Sequence, residues 1–328
     1  MAHQIEQMAY VGELPWHGLG VKIEDNLTPE QIRIAAGCDW TVSKRPMFFS
    51  SAPKGGLDKT ANRQPVGDHY ALVRDSDHKL LDVVGSRYNP TQNKDAFEFF
   101  DKFVKECRLT MSTAGSLCGG QYVWALAKTE QSYDVAANDA LESYILLLSP
   151  HKLGKSLIAK GVGTRVVCKN TLDMALGETG RAAFRMSHAR KFDDHAKAEA
   201  AEILGLVTKS FQDYGEHGRF LAGKKANITD VKEYFGSVFK MDDKMIESEK
   251  PRKNGLLQRL VSAYEGDSPG ADLASARGTW WGAFNSVTWL IDHGGNDNDR
   301  DRHLKDSWMG WRGDIKRIAL DLAIQMAA

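Results

Sequence analysis

Three segments with β-strand patterns follow one another near the middle of the chain, the first two apolar and the third loosely alternating, and they constrain its fold more than any other feature. They cover residues 122–128, 143–149 and 155–168. A helix is predicted to open directly after them, over residues 171–176. Three strands in succession followed by a helix favour an α+β fold with an antiparallel sheet, built on a β-β-β-α core.

The segments before this core carry clear local signals. Thr28 is suited to cap a helix over residues 28–36, with Pro29 in its first turn and Gly37 at its end. Two apolar runs, 70–74 and 80–84, flank a turn-forming Asp-Ser-Asp-His sequence and predict a β-hairpin. Regularly spaced phenylalanines predict an amphipathic helix near residues 94–106.

The residue pattern changes after about residue 195, and helical patterns dominate from there on. Helices are predicted over residues 196–210, 228–239, 256–264, 280–292 and 315–326. We therefore expect an α+β nucleic-acid-binding core over residues 1–215 and a helical C-terminal region over residues 216–328 that serves assembly or partner contact.

The composition is that of a soluble globular protein, with 42% hydrophobic and 26% charged residues. No apolar run reaches the roughly 18 residues that a membrane span requires. The first residues lack the basic and apolar regions of a secretory leader. The four cysteines form no CxxC pair, which favours a reducing compartment and argues against a zinc site. We expect a cytoplasmic protein without cofactor or metal.

Positive charge is concentrated in one segment of a chain whose net charge is zero. Residues 151–191 hold nine basic residues against only Asp173 and Glu178, a local net charge of +7. An excess of this size favours an anionic partner, nucleic acid above all. The predicted nucleic-acid-binding residues are Lys152, Lys155, Lys160, Arg165, Lys169, Arg181, Arg185, Arg190 and Lys191.

Aromatic residues suggest two further roles. Tyr122 and Trp124, on the first strand of the core, are predicted to stack against unpaired bases if they are not part of the core. Trp280, Trp281 and Trp289 lie on an apolar helix face, which is typical of a core or of a protein contact. Through that face we expect self-assembly or the binding of a host protein.

Catalytic interpretations have less support from the sequence. Gly154-Lys155-Ser156 resembles the end of a phosphate-binding loop, but Ser149 stands where that loop requires glycine. A thiol hydrolase using Cys168 remains open, as does a metal nuclease using Asp77 or the acidic loop at residues 297–301. The expectation is that the protein is not an enzyme.

Several longer segments together resemble a family of phage and plasmid proteins described only as a domain of unknown function. The matching segments span residues 15–20, 84–93, 114–127, 164–172 and 278–293 and occur in the order found in the family. One departure follows Ser149, where the family tends to have a polar Ser-His-Asp-Gly-like loop and this chain has Pro150-His151-Lys152-Leu153-Gly154. The resemblance implies a mobile genetic element and a bacterial host cell.

A weaker resemblance suggests an activity. A β-β-β-α unit with basic residues on its third strand and helix resembles the core of phage single-strand annealing proteins, the RecT, Redβ and Erf group. The resemblance implies a ring or filament that binds single-stranded DNA in a basic groove and promotes recombination by pairing complementary strands without ATP. The alternative interpretation is a phage factor that binds a host defence or replication protein and has no enzymatic activity.

Overall fold

An eight-stranded sheet forms the centre of the molecule. The protein's structure, a computed structural model, describes residues 5–12, 19–50, 63–106, 108–167, 170–173, 183–187, 194–241, 255–294 and 311–328. The strands of the large sheet are β1 (Ile5–Tyr10), β2 (Val21–Lys22), β6 (Thr110–Leu117), β7 (Tyr122–Ala136), β8 (Asp139–Pro150), β9 (Ser156–Arg165), β10 (Asn170–Asp173) and β11 (Ala183–Ser187). A smaller sheet contains β3 (Val42–Ser50), β4 (Arg63–Arg74) and β5 (Lys79–Gly85).

The large sheet is antiparallel except where β1 runs parallel to β2. Its strand order is β10-β9-β8-β7-β6-β1-β2. Strand β11 also pairs with β9, along residues 156–160, while β10 pairs along residues 162–165. Since β8 occupies the opposite edge of β9, β10 and β11 lie end to end along one edge of the sheet. The α+β class and the antiparallel sheet predicted from the sequence are confirmed.

The helices of the described chain lie mainly before and after the long strands. They are α1 (Pro29–Ala35), α2 (Asn93–Glu106), α3 (Asp194–Gly223), α4 (Ile228–Phe239), α5 (Leu256–Ser262), α6 (Trp280–His293) and α7 (Trp311–Ala327). A short π-helical stretch, Ala263–Asp267, follows α5. No helix among the described residues is long and apolar enough to cross a membrane.

Helix α1 shows why local signals predicted several elements correctly. Thr28 and Gln31 form a reciprocal capping box at its start, and Pro29 occupies the first turn. Gly37 follows with a φ of +63°, a conformation in which glycine is favoured. The Asp75–His78 turn likewise joins β4 to β5, as the hairpin prediction required.

The alternation of side chains along the strands gives the large sheet two buried faces. On β7, Val123 belongs to the larger core, while Tyr122 and Trp124 belong to a smaller cluster on the other face. The larger core continues without interruption into the C-terminal helices and includes Trp281 and Leu320. The boundary expected at residue 215 falls inside α3, which is 30 residues long.

The prediction of a helix that opens at residue 171 is wrong. Asn170–Asp173 is strand β10, and its residues pair with Val162–Arg165 of β9. The edge of the preceding strand β9 offers backbone hydrogen-bond partners to this segment, and pairing in that hairpin outweighs a local helical pattern. The first described helix after β9 is α3, which begins at Asp194.

Candidate nucleic-acid interface

Arg165, a predicted phosphate contact, is buried at the end of β9. Only 2% of its surface is exposed, and its guanidinium group forms two bonds with the Asp139 carboxylate, Nε to Oδ1 at 2.6 Å and Nη2 to Oδ2 at 2.7 Å. Nη2 also donates to the carbonyl oxygen of Gly270 at 3.3 Å. The assignment of Arg165 to nucleic acid is therefore corrected, because the side chain is neither accessible nor free of a counter-charge.

Asp139, at the start of β8, is the centre of this buried network. Its carboxylate also accepts bonds from the Ser275 hydroxyl at 2.6 Å and from Trp281 Nε1 at 2.9 Å. Burial would raise the pKa of Asp139, but the bonds from Arg165, Ser275 and Trp281 together hold it below its ordinary value. The network joins the sheet to the helical C-terminal part of the chain.

The assignment of Lys160 to nucleic acid is also corrected, because its side chain is buried. It lies on β9 between Leu146 of β8 and Ala183 of β11, on the same face of the sheet as these neighbours, and is 2% exposed. A lysine at this depth cannot reach a polyanion in solvent without a rearrangement of the sheet.

Three other predicted contacts remain accessible, and we call them the hairpin-end cations: Lys152, Lys155 and Arg185. Lys152 and Lys155 lie on the turn that joins β8 to β9, where Lys155 is exposed and Lys152 is half-buried. Arg185 is exposed on β11 opposite Ile158. Lys155 precedes Ile158 by three residues, or about 10 Å of strand, so these cations share one end of the sheet.

The β8–β9 turn that carries two of these cations is fixed in position. The Leu153 amide donates to Asp82 Oδ2 of β5 at 2.7 Å, and Gly154 adopts a φ of +72°. The Leu153 side chain is 56% exposed between the two lysines. Within the described chain, Lys152, Lys155 and Arg185 form no ion pair. A rigid turn therefore presents unpaired positive charge to solvent.

A further exposed cation, Arg87, was missed from the sequence and lies next in the chain to a residue near this turn. It is exposed and precedes Tyr88, whose hydroxyl interacts with the backbone of Lys152. Arg87 lies outside the densely charged segment at residues 151–191. Counting charges along the chain could not find it, because only the folded structure brings the two segments together.

Four of the predicted contacts, Lys169, Arg181, Arg190 and Lys191, lie outside the described residues. The same holds for Cys168 and for the acidic loop at residues 297–301, on which two of the catalytic interpretations depended. These assignments stay predictions.

Tyr122 and Trp124, the predicted stacking residues, are buried at 1% and 2% exposure. Both belong to the smaller apolar cluster, and Trp124 Nε1 donates to the Thr113 hydroxyl of β6 at 3.3 Å. Their assignment to unpaired bases is corrected, because neither ring presents a face to solvent in this structure.

The tryptophans expected to bind a partner lie in the core. Trp280 and Trp281 are 4% and 0% exposed, and Trp289 is partly buried against the same core. Trp280 meets Tyr234 edge to face, with ring centroids 5.7 Å apart. These residues therefore hold α6 inside the protein and do not form the exposed partner surface that was expected.

Asp77 is a structural turn residue in this arrangement. Arg74 donates to both of its carboxylate oxygens, at 2.9 and 2.6 Å, and these bonds lower the pKa of Asp77 to about 2. Arg74 also forms two 2.9 Å bonds with Glu6 of β1. Among the described residues, no group of three or more His, Cys, Asp or Glu side chains is placed to hold a metal ion.

The fold and this surface define an α+β protein that presents, at one end of its large sheet, cations that form no ion pair with the part of the chain that the structure describes. The chain belongs to the family described as Domain of unknown function (DUF932), whose model matches residues 80–309. No curated protein and no solved structure matches the chain.

Proposed function

We propose that the chain binds single-stranded DNA and pairs complementary strands without ATP or covalent chemistry. The observation that carries the proposal is the group of hairpin-end cations, which are accessible and have no acidic partner within the described chain. Unpaired positive charge on a fixed turn favours a polyanion, because no ion pair has to be broken before a phosphate binds.

The annealing activity and its setting rest on the sequence resemblances. Similarity to phage and plasmid proteins supports a mobile genetic element acting in the bacterial cytoplasm. The sequence resemblance of the three successive strands to single-strand annealing proteins motivates assembly into a ring or filament on DNA, although strand β10 replaces the helix on which that resemblance also drew. In this proposal the cations position the phosphate backbone, and the bases stay free to pair with a second strand.

Binding of a labelled oligothymidylate at low salt, followed by fluorescence anisotropy, tests the proposal. The double variant Lys152→Glu, Lys155→Glu should bind at least about 10-fold more weakly than the wild type, since two contacts are lost and two repulsive charges added. Lys209→Glu, an exposed lysine on α3, is the matched control and should bind like the wild type.

Two results would contradict the proposal. One is a wild-type protein that does not bind the oligonucleotide at low salt. The other is an equal loss of affinity in the double variant and in the Lys209→Glu control. Mixing complementary oligonucleotides, one of them quenched on pairing, then measures whether the bound strand is annealed faster than the free strand.

A further inference from the structure

The smaller sheet ends in a two-stranded extension, which we call the distal ribbon: Phe48–Ser50 of β3 and Arg63–Pro65 of β4. Its register pairs Phe48 with Pro65, Phe49 with Gln64 and Ser50 with Arg63. Strand β5 does not reach it, because the last pair between β4 and β5 joins His69 to Gly85. Within the described chain, the distal ribbon therefore has no third strand.

A bulge separates the distal ribbon from the rest of the small sheet. Between the pairs Pro46–Tyr70 and Phe48–Pro65, four residues of β4 lie opposite the single residue Met47. Gly67, within the bulge, has a φ of +59°, and His69 Nδ1 lies 3.2 Å from the Val66 carbonyl oxygen. Bulges of this kind change the direction of a strand and re-aim its side chains.

Two adjacent phenylalanines on the distal ribbon are accessible. Phe48 and Phe49 are 54% and 53% exposed. Consecutive residues of a strand point to opposite faces, so each face of the ribbon carries one aromatic ring. The sequence had predicted this role, an exposed ring that stacks against a base, for Tyr122 and Trp124, but both are buried.

The charges around these rings favour an anionic partner. Within residues 44–50 and 63–70, Lys44, Arg45 and Arg63 are opposed only by Asp68. Arg45 pairs with Asp75 at 3.2 Å, and Lys44 donates to the Ser86 carbonyl oxygen at 2.8 Å. Arg63 forms no ion pair within the described chain. Arg63 is opposite Ser50, next to the phenylalanines. Exposed aromatic rings beside unpaired cations are the usual features of a surface that binds unpaired bases.

From this arrangement we infer that the distal ribbon stacks bases of single-stranded nucleic acid on Phe48 and Phe49, while Arg63 contacts the adjacent phosphate. The inference rests on the proposed function and adds a second contact to it. The hairpin-end cations supply salt-dependent affinity, and the ribbon supplies affinity that requires the presence of bases.

The double variant Phe48→Ala, Phe49→Ala tests this inference against two probes, an oligothymidylate and an abasic oligonucleotide of the same length. Affinity for the oligothymidylate should fall about 5- to 30-fold at every salt concentration, because stacking is lost and no charge is removed. Affinity for the abasic probe should not change. Leu80→Ala, on exposed Leu80 of β5, is the control and should bind both probes like the wild type.

The outcomes separate the two proposals. Failure of the wild type to bind either probe at low salt overturns both. Wild-type binding that the double alanine variant leaves unchanged, or an equal loss for both probes, overturns the ribbon inference alone. Sedimentation of the same proteins tests whether a second copy of the chain binds the ribbon instead. If the wild type is a dimer, the variant is a monomer and DNA binding is intact, the ribbon is a protein contact and the inference is overturned.

Discussion

The basic residues at the two ends of strand β9 differ in exposure and in pairing. At its last residue, Arg165 is buried and bonded to Asp139. Just before its first residue, Lys155 is exposed and has no ion pair within the described chain. A charge count along the sequence gives both residues the same weight. The difference between them comes from one carboxylate, Asp139, placed at the start of the neighbouring strand.

Arg165 is a structural cation, whereas Lys155 is a candidate binding cation. Arg165 and Asp139 lie where the sheet meets Ser275 and Trp281, so their bonds hold two parts of the chain together. Removing one member of a buried pair leaves the other charged and desolvated, which is costly. Lys155 contributes no such bond, and its loss should affect binding more than folding.

The largest expected effect is on stability at the buried end. Arg165→Ala should lower the free energy of unfolding by about 3 to 5 kcal/mol, because Asp139 would remain buried without its partner. Lys155→Ala, the matched change at the exposed end, should lower it by less than about 0.5 kcal/mol. Urea denaturation of both variants measures the difference, and similar losses would contradict the contrast between the two ends.

A smaller effect is expected when one hydrogen bond to Asp139 is removed. Trp281→Phe deletes the Nε1 donor while Arg165 and Ser275 stay in place, and should cost about 1.5 to 3 kcal/mol. Trp280→Phe removes a similar volume from the same helix, and Trp280 makes no side-chain hydrogen bond within the described chain. Trp280→Phe should therefore lower the free energy of unfolding by less than Trp281→Phe does. A larger loss for Trp280→Phe in urea denaturation would argue against the network around Asp139.

Acid should weaken the ion pairs of the described core. The bonds from Arg74 lower the pKa of Glu6 below its ordinary 4.5, despite the opposing effect of burial. The stability that Glu6 contributes is therefore present above pH 4.5 and is lost as the pH falls through its lower, folded-state pKa. Glu6→Gln should reduce the stability difference between neutral and acid solution. If the pH dependence of the free energy of unfolding is unchanged in Glu6→Gln, protonation of Glu6 does not contribute to acid destabilisation.

Local signals predicted a large part of the fold. The capping box of α1, the turn between β4 and β5 and the bounds of α4 follow from residues close together in sequence. Strand β1 could not be found this way, because it is defined by pairing with the distant strand β6. Strand β10 pairs with β9, the strand directly before it, but it has only four residues and its local pattern favoured a helix. Short strands have weak patterns of their own, and their partners determine them.

The candidate site was less predictable than the fold. The sequence predicted Lys152, Lys155 and Arg185 as contacts together with Arg165 and could not separate them, because the partner of Arg165, Asp139, lies 26 positions away. The aromatic residues were misassigned for a related reason. Trp124 and Phe48 both lie on strands, and only the packing of the sheets shows that the first is buried and the second exposed.

The salt dependence of single-stranded DNA binding tests the central claim most directly. The claim is that Lys152, Lys155 and Arg185 contact phosphates and that buried Arg165 does not. Replacing all three cations with alanine should reduce the slope of log affinity against log salt by about 2, at about 0.7 for each lost contact on a single strand. An unchanged slope in this triple variant, or a wild type that does not bind at low salt, would contradict the account.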